Sequence, residues 1–219
     1  MRKWPGGRGK VFFPKLRGLS ELKRKIKGGK AVSIGVFCSG NGDRSPLIEQ
    51  VLRAEFGKKG LSNVHVFSFG LSTAPQRHMQ GAAQRTADYA KELGYAGIAG
   101  HKRRHIGDED VQREITNADL LFAVSPSHMA FLAEYGADEN PEAAPQMLRK
   151  TWTLKGFAGK KQWALPFDGL ARAFNRLYRG IATKDPYFQP KTPEGNRAFK
   201  RMLDDAIADA KKAAKRLVA

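Results

Sequence analysis

The sequence of 219 residues contains a single cysteine, Cys38. One cysteine can form no internal disulfide, and it cannot supply the several thiolates of a structural zinc site. Long apolar runs are also missing, because none approaches the roughly 20 residues that cross a bilayer. The basic N-terminus is not followed by an apolar segment, so a secretory signal is not expected. We therefore expect a cytoplasmic protein without a membrane span.

Acidic residues are scarce as well. The chain has 39 Lys and Arg against 21 Asp and Glu, a net charge of +18. Residues 1–30 hold eleven of the basic residues and one acidic residue, Glu21. We predict that residues 1–30 form a basic extension, with a short helix over 19–27, and that residues 31–219 form the domain. Such an excess favours a polyanion or nucleic acid as partner of residues 1–30, besides a phosphorylated protein.

Strand and helix patterns alternate along the domain. Residues 31–37 read AVSIGVF, a short apolar run that is typical of a buried parallel strand. Further strands are predicted over 64–69, 120–124 and 162–167, and helices over 46–56, 81–93, 108–116, 127–135 and 193–217. This alternation predicts an α/β fold with a four-stranded parallel sheet and helices on both faces. Residues 136–161 and 168–184 fit the pattern poorly and are interpreted as insertions or adapted helices.

One loop combines several features of an anion site. Residues 38–46 read CSGNGDRSP, between the first predicted strand and the first predicted helix of the domain. Backbone N–H groups of a tight loop and the N-terminus of the next helix both attract an anion. Glycine and asparagine tolerate the left-handed backbone that such a loop needs. The predicted phosphate-binding residues are Ser39, Gly40, Asn41, Gly42, Asp43, Arg44 and Ser45.

A cysteine at the head of this loop can act as a nucleophile. The loop N–H groups and Arg44 would stabilise the Cys38 thiolate. The planar guanidinium of Arg44 can bind two phosphate oxygens and follow their charge in the transition state. Ser45 can donate a hydrogen bond to the sulfur. Two in-line displacements through a phosphocysteine would then hydrolyse a phosphomonoester, and they require no metal and no cofactor.

The form C-x-G-N-x-x-R-S-P between a strand and a helix closely resembles the low-molecular-weight protein tyrosine phosphatases. The resemblance covers most of residues 31–219, because Ser68-Phe69-Gly70, Gly100-His101-x-Arg103 and Ala118-Asp119-Leu120 also match family motifs. It implies the fold of that family and a hydrolase that removes phosphate from tyrosine in proteins. It further implies a hydrogen-bond network that supports the loop and is formed by Asn41, Ser45, Ser68 and His101.

The resemblance also implies a general acid within an Asp-Pro-aromatic sequence, which here is Asp185-Pro186-Tyr187. A carboxylic acid there would protonate the leaving group and then activate the water. Asp168, in the sequence PFDG, competes for this role but is not followed by proline. Tyr187 and Phe188 would form an aromatic wall of the substrate site.

Two departures from the family pattern leave alternatives open. Asp43 stands where many members carry a second cysteine, so this loop cannot form a disulfide. Gly42 replaces a bulkier residue that in the family helps to separate phosphotyrosine from phosphoarginine, so phosphoarginine remains an alternative substrate. The segment after Gly70 lacks a usual aromatic residue, which keeps open a non-catalytic module that binds phosphate or phosphoprotein. A related arsenate reductase would relay electrons through further cysteines, which this chain lacks.

Overall fold

The computed structural model describes residues 17–71, 81–139, 144–159 and 192–219. In chain order the elements are α1 (Arg17–Lys27), β1 (Val32–Cys38), α2 (Arg44–Gly57), β2 (Val64–Gly70), α3 (Gln84–Glu92), a 3-10 turn (Ala96–Gly100), α4 (Glu109–Asn117), β3 (Leu120–Ala123), α5 (Pro126–Glu139), α6 (Ala144–Arg149), β4 (Thr151–Thr153), α7 (Leu154–Phe157) and α8 (Pro193–Val218). Within these ranges, no helix has the length and apolar character that a membrane crossing requires.

The four strands form one parallel sheet in the order β2-β1-β3-β4. Strand β1 lies in the centre, with Val32 opposite Val64 of β2 and Ile34 opposite Leu120 of β3. Because all strands run in the same direction, their C-terminal ends share one edge of the sheet. The strand order reverses at β1, which is the position where open α/β sheets bind their ligands. The predicted four-stranded parallel sheet is confirmed.

Helices cover both faces of this sheet, as predicted. One face packs α1, α2 and α8 around residues such as Phe56, Phe122 and Leu203. The other face packs α4 and α5 against Phe37, Phe67 and Phe69 and their neighbours. Alternate residues of β1 therefore enter different cores, and this arrangement holds β1 rigidly beneath the loop that follows it.

The fourth strand comes earlier in the chain than predicted. It forms over Thr151–Thr153, inside a segment interpreted as an insertion, whereas the predicted strand at residues 162–167 lies outside the described residues. Two buried threonines occupy positions where a parallel strand normally carries aliphatic residues. Their hydroxyls are satisfied locally, because Thr151 Oγ1 donates to the Met147 carbonyl (2.6 Å) and Thr153 Oγ1 accepts from the Gly156 N–H (3.2 Å). A three-residue strand with polar residues gives too weak a pattern to be recognised.

Helix α1 packs on the domain although it lies within the predicted basic extension. Leu22 and Ile26 are buried and belong to the larger core. Lys25 Nζ lies 2.7 Å from Asp119 Oδ1, and Lys27 Nζ donates to the carbonyl of Ala219 at 3.1 Å. The apolar side of α1 is therefore part of the fold, while residues 1–16 lie outside the described residues.

Candidate active site

The phosphate loop, residues 38–45, crosses from the C-terminal end of β1 to the first turn of α2. Asn41 in its middle has a φ of 50°, in the left-handed region that the sequence predicted. The end of β2 approaches closely, since a Cβ atom on Gly70 would lie 3.0 Å from the backbone nitrogen of Asn41. Helix α2 begins at Arg44, two residues before the predicted start. Arg44 and Ser45 therefore both belong to the helix N-terminus, where backbone N–H groups favour an anion.

The thiol of Cys38 lies at the head of this loop and contacts a hydroxyl. Its Sγ is 3.0 Å from Ser45 Oγ, and the residue is 3% exposed. Ser45 Oγ also accepts a hydrogen bond from Asn41 Nδ2 at 3.0 Å. Because this bond uses an acceptor site of the hydroxyl, the hydroxyl hydrogen remains for the sulfur. The arrangement lets Ser45 donate to a thiolate.

Asn41 is the centre of a hydrogen-bond network on the β2 side of the loop. Its Nδ2 donates to Ser68 Oγ at 2.9 Å as well as to Ser45, and its Oδ1 accepts from the Arg104 backbone N–H at 2.9 Å. His101 Nε2 donates to the Asn41 carbonyl at 2.9 Å. Burial lowers the pKa of His101, so its imidazole is neutral at pH 7. The structure thus joins all four residues predicted as loop-supporting.

A buried carboxylate that the sequence did not indicate completes this side. Glu49 is 6% exposed, and its Oε2 accepts from Ser68 Oγ at 2.5 Å. Its Oε1 pairs with Arg53 at 2.7 Å. Arg53 in turn donates to the Val66 carbonyl of β2. Glu49 therefore fastens the network to both α2 and β2. Only its position one turn after Ser45, on the apolar side of the helix, could have drawn attention to it.

The rim of the loop near α3 carries an arginine. A Cβ atom on Gly42 would lie 2.7 Å from the guanidinium of Arg103, so this group occupies the space of a missing side chain. Arg103 Nε donates to the Gly81 carbonyl at 2.7 Å, which holds the group there. Asp43 Oδ1 accepts from Thr86 Oγ1 at 2.5 Å, which turns that carboxylate towards α3.

Arg44 is half-buried and borders the β3 side of the site. It lines a cavity of about 160 Å³ at the C-terminal edge of the sheet, together with Lys155 and with Asp205 and Asp209 of α8. Burial, and then the charge of Arg44, hold the pKa of His128 well below its usual range. No pattern in the sequence indicates a role for His128.

The predicted general acid Asp185, its competitor Asp168, and the predicted aromatic wall of Tyr187 and Phe188 all lie outside the described residues. Their roles remain predictions.

Comparison with known proteins agrees with this geometry. The family model described as low molecular weight phosphotyrosine protein phosphatase matches residues 33–184. No curated protein sequence matches the chain significantly. Among solved structures, a mutant of YwlE from Bacillus subtilis is 20% identical with a TM-score of 0.59, over 86% of this chain and 100% of that chain.

Two further structures show the same fold. Wzb from Vibrio vulnificus, in complex with benzylphosphonate, is 24% identical with a TM-score of 0.56, over 84% of this chain and 98% of its own. The YwlE arginine phosphatase from Geobacillus stearothermophilus is 22% identical with a TM-score of 0.54, over 85% and 92% of the two chains. With the family model covering more than half of its length, this chain belongs to the low molecular weight phosphotyrosine protein phosphatases, a family of cysteine-dependent phosphatases that hydrolyse phosphomonoesters.

Proposed function

We propose that this protein hydrolyses phosphotyrosine in proteins, with Cys38 as the nucleophile. The observation that carries the proposal is the position of the Cys38 sulfur, 3.0 Å from the Ser45 hydroxyl, at the head of a loop that leads into a helix N-terminus. In the first step the thiolate attacks phosphorus, an S–P bond forms, and the ester P–O bond breaks. In the second step water attacks phosphorus, the S–P bond breaks, and phosphate and the thiolate are released.

The remaining roles follow from the charge that develops in each step. Arg44 binds two equatorial oxygens of the phosphoryl group, and the loop N–H groups bind the others. Ser45 stabilises the sulfur as a leaving group in the second step. Asp185 protonates the phenolate in the first step and activates the water in the second, beside a wall formed by Tyr187 and Phe188. We assign this chemistry to the cytoplasm, where a thiol nucleophile stays reduced.

The position of Arg103 at the rim of the phosphate loop supports phosphotyrosine rather than phosphoarginine as the substrate. A phosphoarginine side chain carries its own guanidinium, which the Arg103 cation beside the loop repels. A phosphotyrosine ring is neutral, and its face attracts a guanidinium. Arg103 occupies the space where Gly42 has no side chain, and this position at the rim of the loop supports a role for it beside the first groups of the substrate beyond the phosphate. The arginine phosphatase among the similar structures makes this comparison of substrates necessary.

The test is a comparison of kcat/KM for a phosphotyrosine peptide, a phosphoarginine peptide and a phosphosugar, with Cys38→Ser as the blank. We expect kcat/KM for the phosphotyrosine peptide to exceed that for the phosphoarginine peptide by about fivefold or more, and Arg103→Ala to narrow that ratio, since one like-charge contact corresponds to roughly 1 kcal/mol. Lys102→Ala is the matched control, because Lys102 is an exposed neighbouring cation. A higher kcat/KM for the phosphoarginine peptide than for the phosphotyrosine peptide would refute phosphotyrosine as the substrate. Turnover in Cys38→Ser equal to that of the wild type would refute Cys38 as the nucleophile.

A second activity, binding of a polyanion, is favoured by one observation. The contact between Lys27 and Ala219 brings the C-terminal ends of α1 and α8 together, and both ends carry exposed lysines. Residues 1–16 add five more basic residues immediately before α1. We expect retention on nucleic acid that weakens steeply with salt. The comparison is between the full chain and a form that begins at residue 17, which keeps the packed helix; equal retention of both forms would exclude a role for residues 1–16.

A further inference from the structure

A buried histidine contacts the phosphate loop from the β3 side. His128 lies in the first turn of α5, immediately after β3, and is 2% exposed. Its Nε2 is 3.1 Å from the hydroxyl of Ser39, the residue that follows the nucleophile. Its Nδ1 is 3.0 Å from the hydroxyl of Ser125, which lies 2.7 Å from the hydroxyl of Ser127. A continuous chain of hydrogen bonds therefore leads from the turn between β3 and α5 to the start of the loop.

The imidazole in this chain is neutral at pH 7. Burial and the nearby Arg44 cation both hold the pKa of His128 well below its usual range. A neutral imidazole has one N–H donor and one bare nitrogen acceptor. One of its two serine partners must therefore donate to the ring and the other must accept from it. Either tautomer fixes the Ser39 hydroxyl, because the Ser125 hydroxyl can rotate to suit it.

The position of Ser39 explains why this contact matters. Its N–H is the first one after the nucleophile, so a shift of Ser39 moves a donor that lies beside the attacking sulfur. The Ser39 carbonyl accepts from the Leu71 N–H at 2.9 Å, which holds the backbone from the β2 side. The strand order β2-β1-β3 places Leu71 and His128 on opposite sides of β1. His128 thus holds the start of the loop on the β3 side, which the hydrogen-bond network of Asn41 does not reach.

We propose that His128 is a positioning residue of the phosphatase reaction, which acts through the Ser39 hydroxyl to fix the first turn of the phosphate loop beside Cys38. The inference rests on the proposed function of Cys38. Donors that stabilise a transition state must be in place before the reaction, so a loosened loop lowers kcat more than it raises KM. A displacement on the order of 1 Å can lower a rate about 100-fold.

A double-mutant cycle tests whether the histidine acts through the serine. The variants are His128→Phe, which keeps a ring of similar size and removes both hydrogen bonds, Ser39→Ala, and the double variant. We expect each single variant to lower kcat for an aryl phosphate by about 10- to 100-fold with KM changed less than about threefold. The double variant should lose no more than the worse single variant, because both remove the same contact. His128→Gln, which restores one hydrogen bond, should recover part of kcat.

The control separates positioning from general loss of stability. Thr151→Val removes a buried hydrogen bond of β4 to Met147, away from the loop, so it should lower the melting temperature and leave kcat unchanged. If His128→Phe lowers kcat as strongly in the Ser39→Ala background as in the wild type, the proposed route through Ser39 is wrong. If folded His128→Phe keeps full kcat, the positioning role is wrong. Should His128→Phe fail to fold, the same double-mutant cycle is measured with His128→Gln and Ser39→Ala, and the same outcomes decide it.

The outcome for His128 is distinguishable from the outcome for the proposed function. Turnover by wild type above the Cys38→Ser blank establishes the function first, and His128 is then judged by the ratio of each variant to wild type. If the wild type shows no turnover, the proposed function fails. The loop is then probed by how well inorganic phosphate protects Cys38 from alkylation by iodoacetate. Protection by the same phosphate concentration in wild type and His128→Phe would overturn the positioning role, and weaker protection in the variant would support it.

Discussion

The phosphate loop is held from two sides that differ in their chemistry. On the β2 side, Asn41 uses both Nδ2 hydrogens and its Oδ1, and the network ends on the buried carboxylate of Glu49. On the β3 side, a neutral imidazole links Ser39 to Ser125 without any ion pair in the described contacts. The charged side fixes the middle of the loop and its connection to α2, whereas the neutral side fixes only its first residue. Because the hydrogen bonds on the β2 side share partners with one another, we expect substitutions there to lower kcat more than substitutions on the β3 side.

The largest effect is expected at Arg44, at the end of the loop where α2 begins. Arg44→Ala should lower kcat by about 10³-fold, because it removes the group that follows charge in the transition state. Arg44→Lys is the control: it keeps the charge and loses the two-pronged geometry, so it should recover only a small part of the rate. Steady-state kinetics with an aryl phosphate measures both. Recovery of full activity by lysine would show that charge alone is used.

Asn41→Ala should come next and exceed the effect of His128→Phe. It removes three side-chain hydrogen bonds among buried groups, and it puts alanine in a left-handed backbone at a further cost of roughly 1–2 kcal/mol. We expect at least about a 100-fold loss of kcat and about 2–4 kcal/mol less stability in urea unfolding. If His128→Phe is the more damaging variant, the order of importance of the two sides is reversed.

The two sides can also be compared through pH. A histidine whose pKa is lowered in the folded state contributes stability above its unfolded pKa of about 6.5, and that stability declines as pH falls below this value. His128, whose pKa lies well below the usual range, should contribute a slope of up to about 1.4 kcal/mol per pH unit below pH 6.5.

Urea unfolding at pH 7.5 and 5.5 measures this slope. His128→Phe should flatten it by roughly 1 kcal/mol over that interval. An unchanged slope in His128→Phe would contradict a buried neutral imidazole.

The smallest effect is expected at the contact between α3 and α8, which takes no part in the hydrogen bonds of the loop described above. Tyr89 donates to Asp204, and burial, then this hydrogen bond, raises the pKa of Tyr89 to about 12. The hydroxyl therefore remains a donor at neutral and mildly alkaline pH. Tyr89→Phe should cost about 1 kcal/mol in urea unfolding and leave kcat unchanged. A loss of kcat would mean that the contact between α3 and α8 also sets the geometry of the loop.

What the sequence predicts depends on how local the signal is. Strand β1, the loop with Asn41 and helix α2 follow one another over residues 32–57, and each has local sequence features that predict it. The contact of Ser39 with His128 joins residues 89 positions apart, and a histidine in a helix carries no sign of its partner. Glu49 is similar, because an acidic residue on a helix is usually exposed. Strand β4 was missed for another reason, since its threonines are buried only because nearby backbone groups satisfy them.

The contact between Gly42 and Arg103 links two positions that are 61 residues apart in the chain. The guanidinium is the flexible end of a long side chain, so a methyl group on Gly42 would push it aside rather than deform the loop. A change at either position can therefore alter the charge at the mouth of the site at little cost in folding. On the proposed role of Arg103, we therefore expect single substitutions at either position to change substrate preference with little loss of stability.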